Sequence, residues 1–329
     1  LACFDIGSNA VRYLIAEWAD EKLIERFIGG EITGASDAVN ERGEINFDGL
    51  IPTVMALNRF VRLAVEADAT PVCALATAVF RDAKNADQII SQLEGSTGIP
   101  IIPLSQPAEA CLGFIGAISG MSFIDRSSLP SIAFADVGGR STELVIGDAA
   151  GSLYSVHGLN IGSRELTRKF ITAYPIPDSE RLRLHSLIRA TLSPYAEVMR
   201  EASHMIVSGG TAVALAMLVH NKLSFSTEAI HGTVLTKAYL TSTLERLSGM
   251  SLADCEALLA FEPKRASVFY AGVAIITSLL EIGGFERAFV SARCLMHGAL
   301  EKLMRSRVNI TSRDELARVL NEVQINRRA

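Results

Sequence analysis

Two short stretches hold the residues from which chemistry can be built. Near the start runs "FDIGSNAVRYLI", where Asp5 interrupts the apolar residues Phe4, Ile6, Val11, Leu14 and Ile15, and Gly7-Ser8-Asn9 follows. Further on, "FADVGGRSTELVIGD" has the same form, with Asp136, then Gly138-Gly139-Arg140-Ser141-Thr142, then Val145-Ile146. A carboxylate inside an apolar strand needs a donor or a cation beside it. A turn of Gly, Ser and Asn leaves backbone N–H groups unshielded, and concave arrays of such groups bind phosphate oxygens. The hydroxyls of Ser8, Ser141 and Thr142 add donors. Asp5 and Asp136, at strand ends, then suit Mg²⁺, directly or through water. One Asp-x-Gly alone reads as an ordinary hairpin, whereas two are a pattern.

The elements that must carry these residues are duplicated too. Laying Asp136 on Asp5, an offset of 131 residues (136 minus 5), also sets Gly138 on Gly7 and Val145-Ile146 on Leu14-Ile15. Each copy continues into a third strand, "EKLIERFI" and "GSLYSVHG", so a βββ unit opens each half of the chain. After the first come a helix over 50–67, "PVCALATAVF" as a strand entering a loop, and "ADQIISQLEGSTG" as a helix stopped by glycine. "IPIIPLS" then reads as a strand and "AEACLGFIGAIS" as a helix. After the second come a helix over 179–201, then "HMIVSGGTAVALAM" as strand, glycine turn and helix, then helices to the end. "TSRDEL" offers the last of these a capping start. The order βββαβαβα begun twice predicts two α/β domains facing each other across a cleft, 1–122 and 123–329, divided within the serine-rich Ser119–Ser131. The two turns on opposite walls would grip successive phosphates of a polyanion.

Composition narrows the setting. The 329 residues are 49% hydrophobic and 20% charged, enough for two well-buried cores and against extensive disorder. A formal net charge of −5 supplies no basic field, which disfavours duplex nucleic acid as a partner. Cys3, Cys73, Cys111, Cys255 and Cys294 are scattered with no CxxC spacing, so reduced core thiols are expected rather than a disulfide framework or zinc site. The longest apolar stretch, 266–280, is interrupted by Ser267, Gly272, Thr277 and Ser278 and is read as a buried helix, with no membrane partner. No secretory pattern precedes the first strand, and the expected location is the cytoplasm.

Taken together, the motifs resemble those of the exopolyphosphatase/guanosine pentaphosphate phosphatase family, within the actin–sugar kinase–heat-shock ATPase superfamily. The resemblance rests on "DIGSNAVRYLI", "ALATAVFRDAKNA", "DVGGRSTELVIG", "LNIGSRELT" and "SGGTAVALA", and runs almost end to end. It implies two actin-like, ribonuclease H-like α/β domains, in the short form without the extra C-terminal helical domain. The implied activity is Mg²⁺-dependent release of terminal orthophosphate from inorganic polyphosphate, guanosine pentaphosphate or both, which would tie the protein to the stringent response. A homodimer is left open. Glu109 matches the family's catalytic glutamate, a general base for the attacking water. Without the resemblance it reads as a helix-start glutamate favoured by the helix dipole.

Asp136 and Glu143 match the metal-associated carboxylates of the second motif, and Asp5 is implied to face metal or phosphate from the other domain. Gly7, Ser8, Asn9, Arg12, Arg81, Gly138, Gly139, Arg140, Ser141 and Thr142 are the expected phosphate contacts. Thr77 and Asn85 shape the Arg81 loop. Gly209-Gly210-Thr211 matches the turn that lies against the nucleoside in ATP-binding relatives. The chain departs from the family pattern at Ala108, Cys111, Arg140, Met296 and His297, where the family has an acid, an arginine, a glycine, an arginine and an acid. Those departures sustain a second reading, a regulatory protein that binds guanosine tetra- or pentaphosphate with little turnover. A third is an actin-like or sugar-kinase-like ATP enzyme.

Overall fold

The structure, a computed structural model, describes residues 1–8, 10–121, 130–307 and 309–326. From the N-terminus run β1 (Ala2–Ile6), β2 (Ala10–Ala19), β3 (Lys22–Ile32), α1 (Ile51–Glu66), β4 (Pro71–Ala76), α2 (Ala78–Asp82), α3 (Ala86–Thr97), β5 (Ile101–Pro103) and α4 (Gln106–Ile118). Then come β6 (Ser131–Val137), β7 (Thr142–Asp148), β8 (Leu153–Leu159), α5 (Ser163–Phe170), α6 (Asp178–Leu192), α7 (Ala196–Arg200), β9 (His204–Ser208) and α8 (Gly210–Val219). The remainder is α9 (Thr227–Ile230), β10 (Val234–Thr236), α10 (Lys237–Ser248), α11 (Leu252–Leu258), α12 (Ala266–Gly283), β11 (Arg287–Val290), α13 (Leu295–Ser306) and α14 (Arg313–Asn321).

Two compact units result, one of residues 1–116 with 295–323, the other of residues 117–294 with the last few. The sheet of the first is ordered β3-β2-β1-β4-β5, antiparallel through β3, β2 and β1 and parallel from β1 to β5. Strand alternation sorts its two faces. Ala2, Phe4 and Ile6 join α1 in one core, so Cys3 and Asp5 point to the other face, and α13 packs across β1, β2 and β3. There the fully buried His297 meets Glu25 of β3 through Nε2 at 2.8 Å. Replacing His297 by leucine takes a hydrogen bond from a carboxylate that is mostly buried. The variant is expected to lose about 1.5–3 kcal/mol, measured as a shift of the urea midpoint.

The second unit repeats the order as β8-β7-β6-β9-β11, with β10 added antiparallel at the edge. Its core gathers α12 with Ala133, Ala135 and Val137 of β6 and Met205 and Val207 of β9. By length and composition α12 could cross a bilayer, yet nearly all of it is buried in this core, as a central helix.

The sequence expectations need correction at several points. β10 and β11 interrupt the run of C-terminal helices, each too short to show a strand pattern. The helix expected over 179–201 is broken around Pro194, whose ring and missing N–H end α6 before α7 begins. After β4 the chain forms the short helix α2 rather than a loop. The terminal helices α13 and α14 pack with the first unit rather than the second. The expected division at 122/123 lies outside the described residues.

Candidate active site

Both glycine turns close in the same way. Gly7 N–H donates to the Ala10 carbonyl at 3.0 Å, and Gly138 N–H donates to the Ser141 carbonyl at 3.0 Å, positions again 131 apart. Neither glycine has a positive φ. Close approach is the requirement instead, since a Cβ on Gly138 would stand 3.0 Å from the Ser141 oxygen, and one on Gly7 3.3 Å from that of Ala10. In the second turn the carbonyls are tied from behind by α5: Ser163 N–H donates to Gly138 O at 2.9 Å, and Arg164 and Glu165 donate to Gly139 O at 2.9 and 3.0 Å. The N–H groups of Gly139, Arg140 and Ser141 donate to nothing among the described residues, which leaves three successive donors for an anion. Arg140 is exposed and has no positive φ, so the arginine imposes no left-handed strain on the turn. Asn9 lies outside the described residues. Thr142, expected as a phosphate donor, is fully buried and donates its hydroxyl to Ile161 O at 2.7 Å, so it anchors the turn instead.

The two copies differ in what stands beside the aspartate. In the second unit Asp136 lies directly opposite Glu143 across the β6–β7 ladder. Directly opposed residues share a face, so two carboxylates stand together, and Ser141 Oγ donates to Glu143 Oε1 at 2.7 Å. In the first unit the residue opposite Asp5 is Arg12. Asp5 therefore has a guanidinium on its own face of the sheet where Asp136 has a second carboxylate. Among the described residues no three His, Cys, Asp or Glu could hold a metal by themselves. Two carboxylates are nonetheless a sufficient protein contribution for Mg²⁺, which keeps waters and substrate oxygens as its other ligands. The donor set at Asp136 and Glu143 therefore fits that ion.

Glu109 sits in the first turn of α4, where the loop before the helix fixes its position. Asn321 of α14 accepts from Ser105 N–H at 2.8 Å and donates to Pro103 O at 3.1 Å. Ser105 in turn accepts at Oγ from Ala108 N–H at 3.3 Å and at its carbonyl from Glu109 N–H at 2.9 Å. Arg81 donates from Nη1 to Glu109 Oε2 at 2.9 Å and to Leu104 O at 3.2 Å. With side-chain exposures of 26% and 24%, the pair is shielded but still reachable from solvent. Arg81 thus orients the candidate base, a use the phosphate expectation did not include. Thr77 N–H donates to Ile6 O at 3.4 Å and ties the end of β4 to that of β1, just before the Gly7 turn. Asn85 accepts from the Ile45 N–H and donates to the Ile45 carbonyl, both at 2.9 Å.

Four of the five departures from the expected motifs lie in the packing, and the fifth, Arg140, is exposed. Ala108, Cys111, Met296 and His297 are all buried. Burial pushes the Cys111 thiol up, against the opposing charge of Lys302, so it is neutral at ordinary pH.

At the third motif Gly209 has φ +96, and a Cβ there would stand 2.3 Å from Val137 O and 3.1 Å from Asp136 Oδ1. Only glycine fits. Arg265 covers the next residue, its guanidinium lying 2.1–2.4 Å from where a Cβ on Gly210 would be. Glu262 holds that guanidinium with two bonds, at 2.8 and 2.7 Å. Sequence reasoning missed Arg265 and Asn321; "EPKRA", with acid and base three apart before an apolar helix, was the available signal for the former. Thr211 faces inward and its hydroxyl abuts Gly272 of α12, so it docks two helices rather than lining the turn.

The model of the Ppx/GppA phosphatase family matches residues 31–307. Over 91% of this chain there is 26% identity to a bifunctional 3-dehydroquinate synthase/phosphatase of Fusobacterium nucleatum, of which the chain spans only 46%. Exopolyphosphatase 1 of Mycobacterium tuberculosis is 22% identical over 98% of this chain and 94% of its own length. The crystal structure of the Aquifex aeolicus Ppx/GppA family member superposes with a TM-score of 0.83 at 26% identity, covering 94% of this chain and 98% of that one.

Proposed function

Because the chain belongs to the Ppx/GppA phosphatase family, we propose that it hydrolyses a terminal phosphoanhydride, releasing orthophosphate from inorganic polyphosphate or guanosine pentaphosphate. The observation that carries this reading is the Glu109 carboxylate, fixed at the start of α4 and oriented by Arg81. Glu109 takes a proton from water as the water oxygen bonds to the terminal phosphorus. The bridging oxygen departs with the electron pair of the broken anhydride bond. In the first unit the Gly7-Ser8 turn and Arg12 contact phosphate oxygens. In the second the amides of Gly139, Arg140 and Ser141 do so, and rate comes mainly from positioning and charge stabilisation. Asp136 and Glu143 would hold Mg²⁺, which supplies positive charge against the phosphate oxygens.

Phosphate release from polyphosphate, guanosine pentaphosphate and ATP, run side by side with and without Mg²⁺, tests this. Metal-dependent release from either of the first two, well above that from ATP, is the expected result. Tight binding of guanosine tetraphosphate with no release from any of the three would favour the regulatory reading, which the replaced positions Ala108, Cys111, Met296 and His297 support. Faster turnover of ATP would point to the kinase-like alternative.

Arg140 offers a separate test. Its exposed guanidinium brings a permanent charge beside the turn amides, so Arg140→Gly should raise KM for polyphosphate about fivefold at low salt. The penalty should shrink as salt approaches 0.5 M. Tighter binding by the glycine variant would make the arginine an obstruction.

A further inference from the structure

Resting on the reading that Asp136 and Glu143 hold a divalent cation, we propose that Ser208 is a positioning residue whose hydroxyl adds a third oxygen to that set, toward the cation or a water on it. Ser208 ends β9 in register with Asp136 on the neighbouring parallel strand. Ala133, Ala135, Val137, Met205 and Val207 all face the α12 core. By alternation Asp136 and Ser208 share the other face, and Glu143 joins them from its place opposite Asp136. The 3.1 Å from a Cβ on Gly209 to Asp136 Oδ1 brings that carboxylate against the main chain next to Ser208.

The serine is 5% exposed, and its hydroxyl has no hydrogen-bond partner among the described residues. It is not a helix cap either, since α8 starts from Gly209 with no side-chain cap. A buried hydroxyl left unbonded costs stability, and alanine would fill the same space without that cost. A ligand held by the two carboxylates accounts for it. Mg²⁺ and Mn²⁺ take hard oxygen donors, and two carboxylates leave most of an octahedron to neutral oxygens.

The test is a Mn²⁺ titration followed by electron paramagnetic resonance on the full chain, with thermal melts of the metal-free protein. Ser208→Ala should weaken Mn²⁺ binding about tenfold, while its metal-free melting temperature stays equal to that of the wild type or rises. Asp136→Asn should weaken binding further. Unchanged affinity in Ser208→Ala, with Asp136→Asn impaired, overturns the role of the serine and leaves the carboxylate site standing. A metal-free melt several degrees below wild type assigns Ser208 to packing and overturns the proposal as well. Equal affinity in all three proteins, or no binding by any, overturns the carboxylate reading itself.

Discussion

Glu109→Gln is expected to lower the rate of phosphate release by about 10²-fold or more, with little change in KM. The amide has nearly the same shape, and its oxygen can still accept the hydrogen bond that Arg81 donates at 2.9 Å. The start of α4 should therefore survive, because Ser105 and Asn321 hold it through the backbone. What is lost is the ability to take a proton, worth about 2.7 kcal/mol of barrier at that rate. Initial rates on polyphosphate, with circular dichroism as the check on folding, decide the matter. A folded variant turning over within threefold of wild type removes Glu109 from the mechanism.

The largest stability effect is expected from Gly298→Ala. A Cβ at this position of α13 would stand 1.8 Å from the Leu112 carbonyl oxygen, 2.7 Å from its carbon and 2.9 Å from Gly116 N. These are backbone atoms of α4, which no rotamer change can move aside. The helices must separate, at an expected cost of about 3 kcal/mol or more, and activity should fall because Glu109 rides on the same helix. Gly95, in α3, is the control: a Cβ there meets nothing within 4 Å. Gly95→Ala should stabilise by up to about 1 kcal/mol through helix propensity alone. Urea midpoints of the two variants should move in opposite directions; a Gly298→Ala midpoint equal to wild type would show that the contact gives way freely.

How much of this was legible in the chain depends on the range of the signal. The duplicated turn was readable because its chemistry is local, with Asp-x-Gly and polar residues between strands at a fixed offset. The core helix α12 was readable from a run of apolar residues. By contrast, β10 and β11 are three and four residues long, too short for alternation to show. Thr142 looked like a donor by residue type, but its burial against Ile161 is a tertiary fact. The pairing of Arg81 with Glu109 spans 28 positions, that of Asn321 with Ser105 spans 216, and nothing near either partner announces it. The contrast between Asp5–Arg12 and Asp136–Glu143 needed the ladder register before the two copies could be told apart.

The discontinuity of the first unit has a consequence on the ribosome. Residues 1–116 emerge before 117–294, but α13 and α14, which finish that unit, follow only after the whole of 117–294 has been made. At about 5–20 residues per second, the wait is roughly 10–35 s. Throughout it, the sheet face bearing Cys3 and Leu14 has no helix from α13 to cover it, and the groove along α4 that takes Gly298 stands open. The inserted second unit, nearly contiguous, can close its core within that interval. The half-made first unit is then the nascent species with apolar surface to offer a chaperone, and a stall before residue 295 would leave it in that state.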